Sequence, residues 1–304
     1  MNAKLPWVDV EQLPMAAAIE AVERALLEGL DPEADPPRSR VATGDSGHFL
    51  VMESEHGAYA GVKVTTVAPG NTERGLPRIQ GVYVLFAADT LTPIALADGA
   101  AITALRTPAV SAVAAKHLMT GDPRRLLVFG TGPQAAGHIN ALRIVLPSID
   151  HVEVAGRARG NTERFAAAHD AAAVEEVEAA VRQADVICCC TSAREPLFDG
   201  TWVKDDATVI AVGSHEASAR ELDETLMGRA SVVVESRTTA LREAGDVIHA
   251  IELGTVEESA LFYLVDVVRG EPGTPAPPRP RVFKSAGMSW EDVVVAGAAW
   301  EHTR

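Results

Sequence analysis

The chain has 304 residues, of which 47% are hydrophobic and 23% are charged, and its formal net charge is −15. This length suits two domains better than one core. The acidic balance argues against nucleic acid or an anionic membrane as a partner, because both bind basic surfaces. No charged-then-apolar leader opens residues 1–10, and no apolar run approaches a membrane span. We therefore expect a soluble protein in the reducing cytoplasm.

The first 120 residues predict a helix followed by a sheet. Apolar residues at helical spacing fill residues 11–30, and Gly29 and Pro32 end that pattern. A proline-rich connection covers residues 31–40. The next segments alternate or run apolar with turns between them, which predicts an antiparallel meander with strands at 47–53, 59–67, 79–87 and 94–97. The alanine-rich segment 100–118 predicts a helix that Pro108 begins or kinks.

After the break at residues 121–123 the pattern changes to alternating strands and helices, which is typical of a doubly wound parallel sheet. Strands are predicted at 126–130, 151–156, 185–191, 208–213 and 231–236. Helices are predicted at 133–146, 162–169, 174–183, 221–227 and 256–270. A proline-rich linker at 271–281 precedes a last strand and helix within 282–300.

A glycine-rich turn lies where the first of these strands meets its helix. Gly130-x-Gly132-x-x-Ala135 follows the apolar run 126–129, and Pro133 and Gln134 open the predicted helix. Two glycines permit a tight turn and a close approach of the backbone to a pyrophosphate, and a small third residue lets helix and strand pack closely. The helix N-terminus offers free N–H groups to phosphates. We therefore predict a dinucleotide-binding Rossmann domain.

The end of the second strand of this unit indicates which dinucleotide is bound. An acidic residue there binds the ribose hydroxyls of NAD, whereas a basic residue accommodates the additional phosphate of NADP. The sequence has Gly156-Arg157-Ala158-Arg159 at this point, and Glu153 should alternate away from the cofactor. Arg157 therefore favours NADP(H) over NAD(H). The alternative is a pair of solvated turn arginines with less selective binding of NAD.

The positions of the three cysteines argue against a disulfide bond and against a metal site. Cys188, Cys189 and Cys190 are consecutive, and neighbours on a strand face opposite sides, so they are poor disulfide partners. No CxxC pair or His-x-x-x-His spacing suggests zinc. We interpret the three as small hydrophobic residues of a buried strand and expect no metal site.

Three cations in the first domain stand in apolar or turn segments. Lys63 interrupts an apolar strand, Arg38 follows two prolines, and Arg106 precedes Thr107-Pro108. A lysine in an apolar strand is costly unless a carboxylate or a ligand pairs with it. Taken singly, each of these residues is interpreted as a surface charge or as one member of a structural ion pair. Together, the three are also suited to bind a small carboxylate.

These residues and several longer motifs resemble the ornithine cyclodeaminase/mu-crystallin family over nearly the whole chain. The matching segments are Pro37-Arg38, Lys63 with Pro69-Gly70-Asn71, the stretch 98–107 with Ile102-Thr103-Ala104-Leu105-Arg106-Thr107, Ser111-Ala112, the turn 130–135, Ala211-Val212-Gly213-Ser214-His215, Arg220-Glu221-Leu222-Asp223, Gly245-Asp246-Val247 and Phe283-Lys284-Ser285-x-Gly287.

The resemblance implies a homodimer and an inserted domain. Residues 1–120 plus 282–304 would form an α+β substrate-binding and dimerisation domain, and residues 121–281 the NAD(P)-binding Rossmann domain, with the site in the cleft between them. Arg38, Lys63, Arg106 and Gly287 would bind the substrate. The residues implied near the cofactor are Gln80, Arg106, Thr107, Gly130, Gly132, Pro133, Gln134, Ala135, Arg157, Thr191, Val212 and Ser285.

One departure from the family pattern bears on the reaction. The cyclodeaminase branch has an acid/base aspartate where this chain has His215. The resemblance is therefore stronger to the mu-crystallin and imine-reductase side, which implies NAD(P)H-dependent reduction of a small cyclic ketimine carboxylate in amino-acid or proline metabolism. In such a reaction Lys63 and His215 are the candidate catalytic residues, and a structural loop role for His215 stays open. The alternatives are ornithine cyclodeamination, an alanine-type amino-acid dehydrogenase, and a non-catalytic NADPH-binding protein.

Overall fold

The computed structural model of the chain describes residues 4–275 and 278–304. Contacts divide the chain into two units, one formed by residues 1–109 with 288–304 and the other by residues 110–287. The sequence suggested boundaries near residues 120 and 282. No helix in the described residues has the length and apolar character that a membrane crossing requires.

The described residues contain fourteen strands and ten helices, apart from short 3-10 turns. The strands are β1 (Trp7–Val8), β2 (Ser39–Ala42), β3 (His48–His56), β4 (Tyr59–Val67), β5 (Ile79–Ala87), β6 (Thr92–Asp98), β7 (Arg125–Phe129), β8 (His151–Ala155), β9 (Ala172–Ala173), β10 (Val186–Cys189), β11 (Thr208–Ala211), β12 (Ser231–Val234), β13 (Phe262–Tyr263) and β14 (Arg281–Lys284). The helices are α1 (Met15–Leu27), α2 (Gly99–Leu118), α3 (Pro133–Val145), α4 (Arg159–Ala168), α5 (Val177–Gln183), α6 (Glu224–Arg229), α7 (Arg237–Glu243), α8 (Gly245–Glu252), α9 (Leu264–Arg269) and α10 (Ser289–His302).

The first unit is built on a six-stranded sheet in the order β1-β6-β5-β4-β3-β2. Strands β3 to β6 form the antiparallel meander that the sequence predicts; β2 adds antiparallel to β3, and β1 adds in parallel to β6. Neither β1 nor β2 is predicted from the sequence. Both are short, and β2 begins inside the proline-rich connection, where its pairing with β3 overrides the local pattern.

The two faces of this sheet differ in burial, with a period of two residues. Lys63 and Thr65 of β4 and Tyr83 of β5 are buried, whereas Val62 and Val64 of β4 are half-buried. Successive side chains of a strand point to opposite faces. The buried face packs against α10, which contacts β3 and β4. The other face therefore presents apolar side chains that are only partly covered within one chain.

Helix α2 covers the helix predicted at 100–118, and of the two roles predicted for Pro108, a helix start or a kink, it does not have the first. The helix begins at Gly99, because Asp98 Oδ1 accepts hydrogen bonds from the backbone N–H groups of Ala100 (2.7 Å) and Ala101 (3.1 Å). Such a cap satisfies donors that a helix start leaves free. Pro108 lies inside the helix, and the division between the two units falls at the next residue.

The second unit contains an eight-stranded sheet in the order β13-β12-β14-β11-β10-β7-β8-β9, with every neighbouring pair parallel. The continuous apolar run of β7 is buried, as expected for a parallel strand covered on both faces. The predicted doubly wound α/β fold is confirmed. The order reverses between β7 and β10, and this switch point is where open α/β sheets bind ligands.

Several element boundaries of this unit differ from the sequence prediction. The helix predicted at 221–227 begins at Glu224, because Asp223 accepts a hydrogen bond from Leu226 N at 2.8 Å and caps it. The helix predicted at 174–183 begins at Val177. The helix predicted at 256–270 is correct only in its second half, where α9 lies; β13 precedes α9 and pairs with β12 at the sheet edge. Helices α7 and α8 are not predicted.

The predicted proline-rich linker at 271–281 is shorter in the structure. Arg281 already belongs to β14, which lies between β11 and β12. Residues 276 and 277 of this segment lie outside the described residues. Strand β14 followed by α10 agrees with the strand and helix predicted within 282–300.

Candidate active site

The glycine turn joins β7 to α3 in a conformation that its sequence requires. Gly130 has a φ of +118°, and a Cβ at that position would lie 2.5 Å from the carbonyl oxygen of Cys190. Both the backbone angle and the available space therefore demand glycine. Gly132 immediately precedes α3, where a Cβ would meet nothing within 4 Å, and Pro133 is the first helical residue. The open side of Gly132 leaves room for a ligand at the helix N-terminus.

A cavity of about 560 Å³ lies at this turn. Its lining includes Gly130, Gly132, Pro133 and Gln134 from the turn, while Ala135 is completely buried against the sheet. A volume of this size is within the range of small-molecule and cofactor sites. The cavity and the N–H groups at the start of the thirteen-residue helix α3 together fit a dinucleotide phosphate.

Arg157 is the single charged residue among the described residues that line this cavity. It follows β8, and its side chain is exposed. The nearby Glu153 pairs with Arg125 at 3.2 Å, so it does not replace the missing ribose-binding carboxylate. Arg159 pairs with Glu163 at 2.7 Å along α4. The electrostatic environment of the cavity is therefore basic rather than acidic.

Glu221 holds together the carboxyl ends of the two strands beyond the switch point. Its Oε1 accepts hydrogen bonds from Thr191 N (2.8 Å) and Thr191 Oγ1 (2.7 Å), and its Oε2 accepts one from Gly213 N (2.8 Å). Glu221 is fully buried, and burial raises the pKa of its carboxyl group, although Lys284 and these hydrogen bonds oppose the rise. The loops carrying Thr191 and Val212 are thereby fixed side by side, and Val212 N bonds to Cys189 O at 3.0 Å.

A second buried charge pair supports the neighbouring loop. Lys284 Nζ lies 3.1 Å from Asp246 Oδ2 and donates to the carbonyl of Ser214 at 2.6 Å. Asp246 Oδ1 accepts from Glu221 N at 2.7 Å and Leu222 N at 2.9 Å. The backbone before His215 is thus anchored on β14, while the His215 side chain is exposed on its loop.

Glu235 organises the segment that follows β14. It accepts hydrogen bonds from Ser285 Oγ (2.7 Å), Ala286 N (3.0 Å) and Gly287 N (3.1 Å). Gly287 has a φ of +76°, so this turn also favours glycine. Three donors on one carboxylate fix the two predicted site residues, Ser285 and Gly287, in a defined turn.

The predicted cations of the first unit form a buried cluster with carboxylates of α10. Lys63 Nζ lies 2.7 Å from Asp292 Oδ2 and donates to Thr103 Oγ1 at 3.0 Å. Arg106 Nη1 lies 2.6 Å from Glu291 Oε2, and its Nε lies 3.2 Å from Asp292 Oδ1. The structural ion pairs considered from the sequence are therefore present. They do not exclude a ligand, because each cation has further donors.

Arg38 belongs to the same electrostatic neighbourhood. Burial lowers the pKa of Lys63 to about 8; Asp292 opposes this shift, and the positive charges of Arg106 and Arg38 add to it. A lysine with a pKa near neutrality is suited to proton transfer. The structure thus brings Arg106 and Arg38 within electrostatic reach of Lys63.

Asp35 connects the Arg38 segment to the start of α10. Its Oδ1 accepts from Ser54 Oγ at 2.6 Å, and its Oδ2 accepts from Ser289 N at 2.8 Å and Trp290 N at 3.0 Å. Burial raises the pKa of Asp35 to about 6, and these three hydrogen bonds oppose the rise. The carboxylate therefore ties its own segment, three residues before Arg38, to the start of α10.

Two more residues that the resemblance placed near the cofactor lie in the first unit. Gln80 is exposed at the start of β5, and its Nε2 donates to Pro77 O at 3.5 Å. Thr107 is buried in α2, next to Arg106. All of the predicted site residues lie within the described part of the chain.

Several acidic residues of these clusters were not singled out from the sequence. Asp35, Glu235, Glu291 and Asp292 are buried or half-buried carboxylates that hold a predicted site residue or its loop. The sequence does contain a pattern that could have singled out one pair of these carboxylates. Glu291 and Asp292 lie between Trp290 and the apolar run 293–296. Charges in such an apolar segment are costly unless they are paired.

Comparisons with known proteins find relatives that match most of the chain. The family described as "Ornithine cyclodeaminase/mu-crystallin family" matches residues 5–304. A Delta(1)-pyrroline-2-carboxylate reductase of Paracoccus denitrificans is 36% identical over 243 residues, which cover 78% of this chain and 77% of that protein. The ketimine reductase mu-crystallin of Rattus norvegicus is 36% identical over 246 residues, covering 79% and 74% of the two chains.

Solved structures show the same fold over almost the whole chain. The Thermococcus litoralis Delta(1)-pyrroline-2-carboxylate reductase in complex with NADH and L-proline superposes with a TM-score of 0.91 and 31% identity, covering 98% of this chain and 97% of the other. An archaeal alanine dehydrogenase dimer with bound NAD has a TM-score of 0.90 and 27% identity, covering 98% and 96%.

Proposed function

The chain belongs to the ornithine cyclodeaminase/mu-crystallin family, and from this premise we propose that it is an NAD(P)H-dependent reductase of a small cyclic ketimine carboxylate. The substrate would be of the 1-pyrroline-2-carboxylate or 1-piperideine-2-carboxylate type, and the product the corresponding cyclic amino acid. Relatives with the names of such reductases support this activity.

The observation that carries the proposal is the cluster of three cations formed by the buried Lys63 and Arg106 and the half-buried Arg38. Reduction of a cyclic imine needs a protonated C=N bond, a hydride delivered to its carbon, and a fixed carboxylate. In our proposal the guanidinium groups of Arg38 and Arg106 bind the carboxylate, because planar fork donors match its two oxygens. Lys63, with a pKa of about 8, supplies or retains the proton at the imine nitrogen.

The nucleotide, when bound, supplies the hydride. The turn residues Gly130, Gly132, Pro133 and Gln134 would hold its phosphates, with Ala135 packing behind them. In our proposal the remaining contacts come from the neighbouring loops and from the first unit, through Gln80, Arg106, Thr107, Arg157, Thr191, Val212 and Ser285. We favour NADP(H), because Arg157 is the charged lining residue and the strand tip lacks a carboxylate.

His215 separates this proposal from cyclodeamination. Ring closure with loss of ammonia needs an acid/base group, and in the cyclodeaminase branch of the family an aspartate provides it at the position of His215. An exposed imidazole at this loop is compatible with a proton relay during reduction. An alanine-type dehydrogenase remains the second candidate, because the archaeal alanine dehydrogenase shares the fold along almost the whole chain.

We also propose that the active form is a homodimer. The half-buried face of the six-stranded sheet, with Val62, Val64, Val82, Val84 and Phe86, is apolar and regularly spaced. A second copy would cover it and remove these side chains from water.

The proposal is tested by mixing the purified protein with NADPH and a panel of cyclic imines and keto acids. We expect loss of the reduced-nicotinamide absorbance with 1-pyrroline-2-carboxylate or 1-piperideine-2-carboxylate, and proline or pipecolate as product. Lys63→Met should abolish this activity, while Lys116→Met, a change at an exposed lysine of α2, should not. Proline formed from ornithine with catalytic NAD, or ammonia-dependent turnover of a keto acid, would replace the reductase assignment by cyclodeaminase or dehydrogenase. Tight NADPH binding without any turnover would indicate a binding protein.

A further inference from the structure

A cluster of soft donor atoms lies behind the glycine turn, in the second unit. One ligand atom each from His138, Cys188 and Cys190 lies within 4.8 Å of the other two. His138 belongs to α3, Cys188 to β10, and Cys190 follows that strand directly. The side chains of His138 and Cys188 are completely buried, and Cys190 is half-buried at the wall of the dinucleotide cavity.

The histidine is held in the tautomer that a metal ion needs. Its Nδ1 lies 2.7 Å from the carbonyl oxygen of Gln134. A carbonyl only accepts hydrogen bonds, so Nδ1 carries the hydrogen and Nε2 presents its lone pair. Metal-binding histidines usually donate their second ring nitrogen to a carbonyl or carboxylate in this manner. Ser111 Oγ lies 2.9 Å from Nε2, so in this tautomer its hydroxyl donates to the Nε2 lone pair and places an oxygen atom beside it.

The two sulfur atoms have a separation that a tetrahedral ion accepts. Cys188 and Cys190 are two residues apart, so their side chains lie on the same side of the strand, and their Sγ atoms are 3.5 Å apart. Two thiolates bound to zinc at about 2.3 Å with tetrahedral angles would be separated by about 3.7–3.8 Å. The sulfur atoms thus need to move by only a fraction of an ångström. Cys189, between them, points into the apolar core instead.

The charges of such a site are balanced. Two thiolates neutralise one divalent cation, and a neutral imidazole with a hydroxyl completes four ligands. Sulfur and imidazole ligands select zinc-class ions over magnesium or calcium, which prefer oxygen. We propose that His138, Cys188 and Cys190 bind one thiophilic divalent cation of the zinc class, with Ser111 Oγ as the fourth ligand. Cys190 at the cavity wall gives the ion its entry path.

This proposal is independent of the catalytic assignment, and cadmium is its probe. The full-length protein is stripped with a chelator, kept reduced with a phosphine, and titrated with Cd²⁺ while the ultraviolet thiolate-to-cadmium charge-transfer band is recorded. We expect one ion per chain. Cys188→Ser, Cys190→Ser and His138→Gln should each weaken binding by at least about tenfold. Cys189→Ser is the matched control and should bind cadmium as the unaltered chain does.

Specific results would contradict the proposed metal site. Absence of the charge-transfer band, or a band that survives Cys188→Ser and Cys190→Ser unchanged, would overturn the site. Far-ultraviolet circular dichroism shows whether each variant is folded. If a variant is unfolded, protection of Cys188 and Cys190 from alkylation by Cd²⁺ in the unaltered chain is the second measurement. Equal alkylation with and without the ion would also overturn the proposal.

Discussion

Lys63 Nζ lies 2.7 Å from Asp292 Oδ2, and the two side chains are 3% and 1% exposed. The pair joins the central strand β4 to α10, which is the last helix of the chain. An ion pair so deeply buried is costly to break from one side, because without Lys63 the Asp292 carboxylate keeps only Arg106 Nε, at 3.2 Å, and no water. It therefore couples the stability of the first unit to the proposed substrate site.

Removing one member of this pair should destabilise the protein more than removing both. We expect Lys63→Met to lower the free energy of unfolding by about 3–5 kcal/mol. The double variant Lys63→Met/Asp292→Asn should recover part of that loss, because no unpaired charge remains. Urea unfolding of the single and double variants measures the coupling. Arg182→Met, which removes an exposed pair with Glu178, is the control and should have little effect. Additive effects of the two substitutions would contradict the pairing.

The reaction rate should depend on the protonation of Lys63. Its pKa of about 8 lies below the ordinary value of 10.5, so we expect kcat/KM to fall as the pH rises through about 8. Asp292 raises this pKa, and Asp292→Asn should therefore move the fall to lower pH. Titration of the imine substrate itself is identical for both proteins, so an unshifted profile would remove Lys63 from the proton transfer.

The same pKa difference has a consequence for stability, with a definite sign. Between pH of about 8 and 10.5 the unfolded chain binds more protons at Lys63 than the folded chain does. This lysine therefore makes the free energy of unfolding rise with pH across that interval. Lys63→Met should flatten the rise when unfolding is followed at several pH values.

The two glycines of the turn should respond differently to alanine. Gly130→Ala places a methyl group against the carbonyl of Cys190 and forces an alanine to a φ of +118°, so we expect a loss of thermal stability. Gly132→Ala meets no atom within 4 Å and should leave the melting temperature nearly unchanged. It should nevertheless weaken NADPH binding by at least about tenfold, because the methyl group occupies the approach of the pyrophosphate. Equal behaviour of the two variants would contradict this placement of the phosphate.

Arg157 should decide between the two nucleotides. A charge-assisted contact to the ribose phosphate contributes about 1.5–3 kcal/mol, so Arg157→Ala should raise the KM for NADPH by about 10-fold to 160-fold. The KM for NADH should change little. Arg164→Ala is the matched control, because Arg164 is exposed on α4 and donates to Asn161 at 3.1 Å. If Arg157→Ala raised the KM for NADPH and the KM for NADH by the same factor, the basis for a preference for NADP(H) would be removed.

The half-buried sheet face should control the oligomeric state. Val64→Glu puts a charge in the centre of that face, and we expect light scattering to show a monomer. Leu253→Glu changes a leucine that is 59% exposed in the second unit and serves as the control, which should remain dimeric. A dimer that persists after Val64→Glu would show that the copies meet elsewhere.

The dinucleotide turn was predictable because its determinants are local. Gly130 needs a backbone angle that few other residues adopt, and the strand before it and the helix after it follow from short sequence patterns. The first half of the helix predicted at 256–270 fails for the opposite reason. Its pattern is helical in part, but pairing with β12 draws Phe262 and Tyr263 into the sheet edge. Tertiary contacts of this kind leave no trace in the segment itself.

The cations of the candidate site could be singled out from the sequence, but the carboxylates that pair with them could not. Lys63 stands out because it interrupts an apolar strand, and the longer motif around Arg106 is distinctive. Their partners lie 229 and 185 residues further along the chain, and no local spacing connects them. The cysteines show the same limit: a Cys-x-Cys pair becomes a candidate ligand set only when α3 brings His138 to it.

The position of β14 has a consequence for how the chain is made. Arg281–Lys284 form the strand between β11 and β12, so the parallel sheet exists as two separate pieces until these late residues are added. During synthesis, the paired strands β12 and β13 cannot join the rest of the sheet until almost the whole chain has left the ribosome. A truncation just before residue 281 would therefore leave two unpaired inner strand edges, which are prone to join other chains.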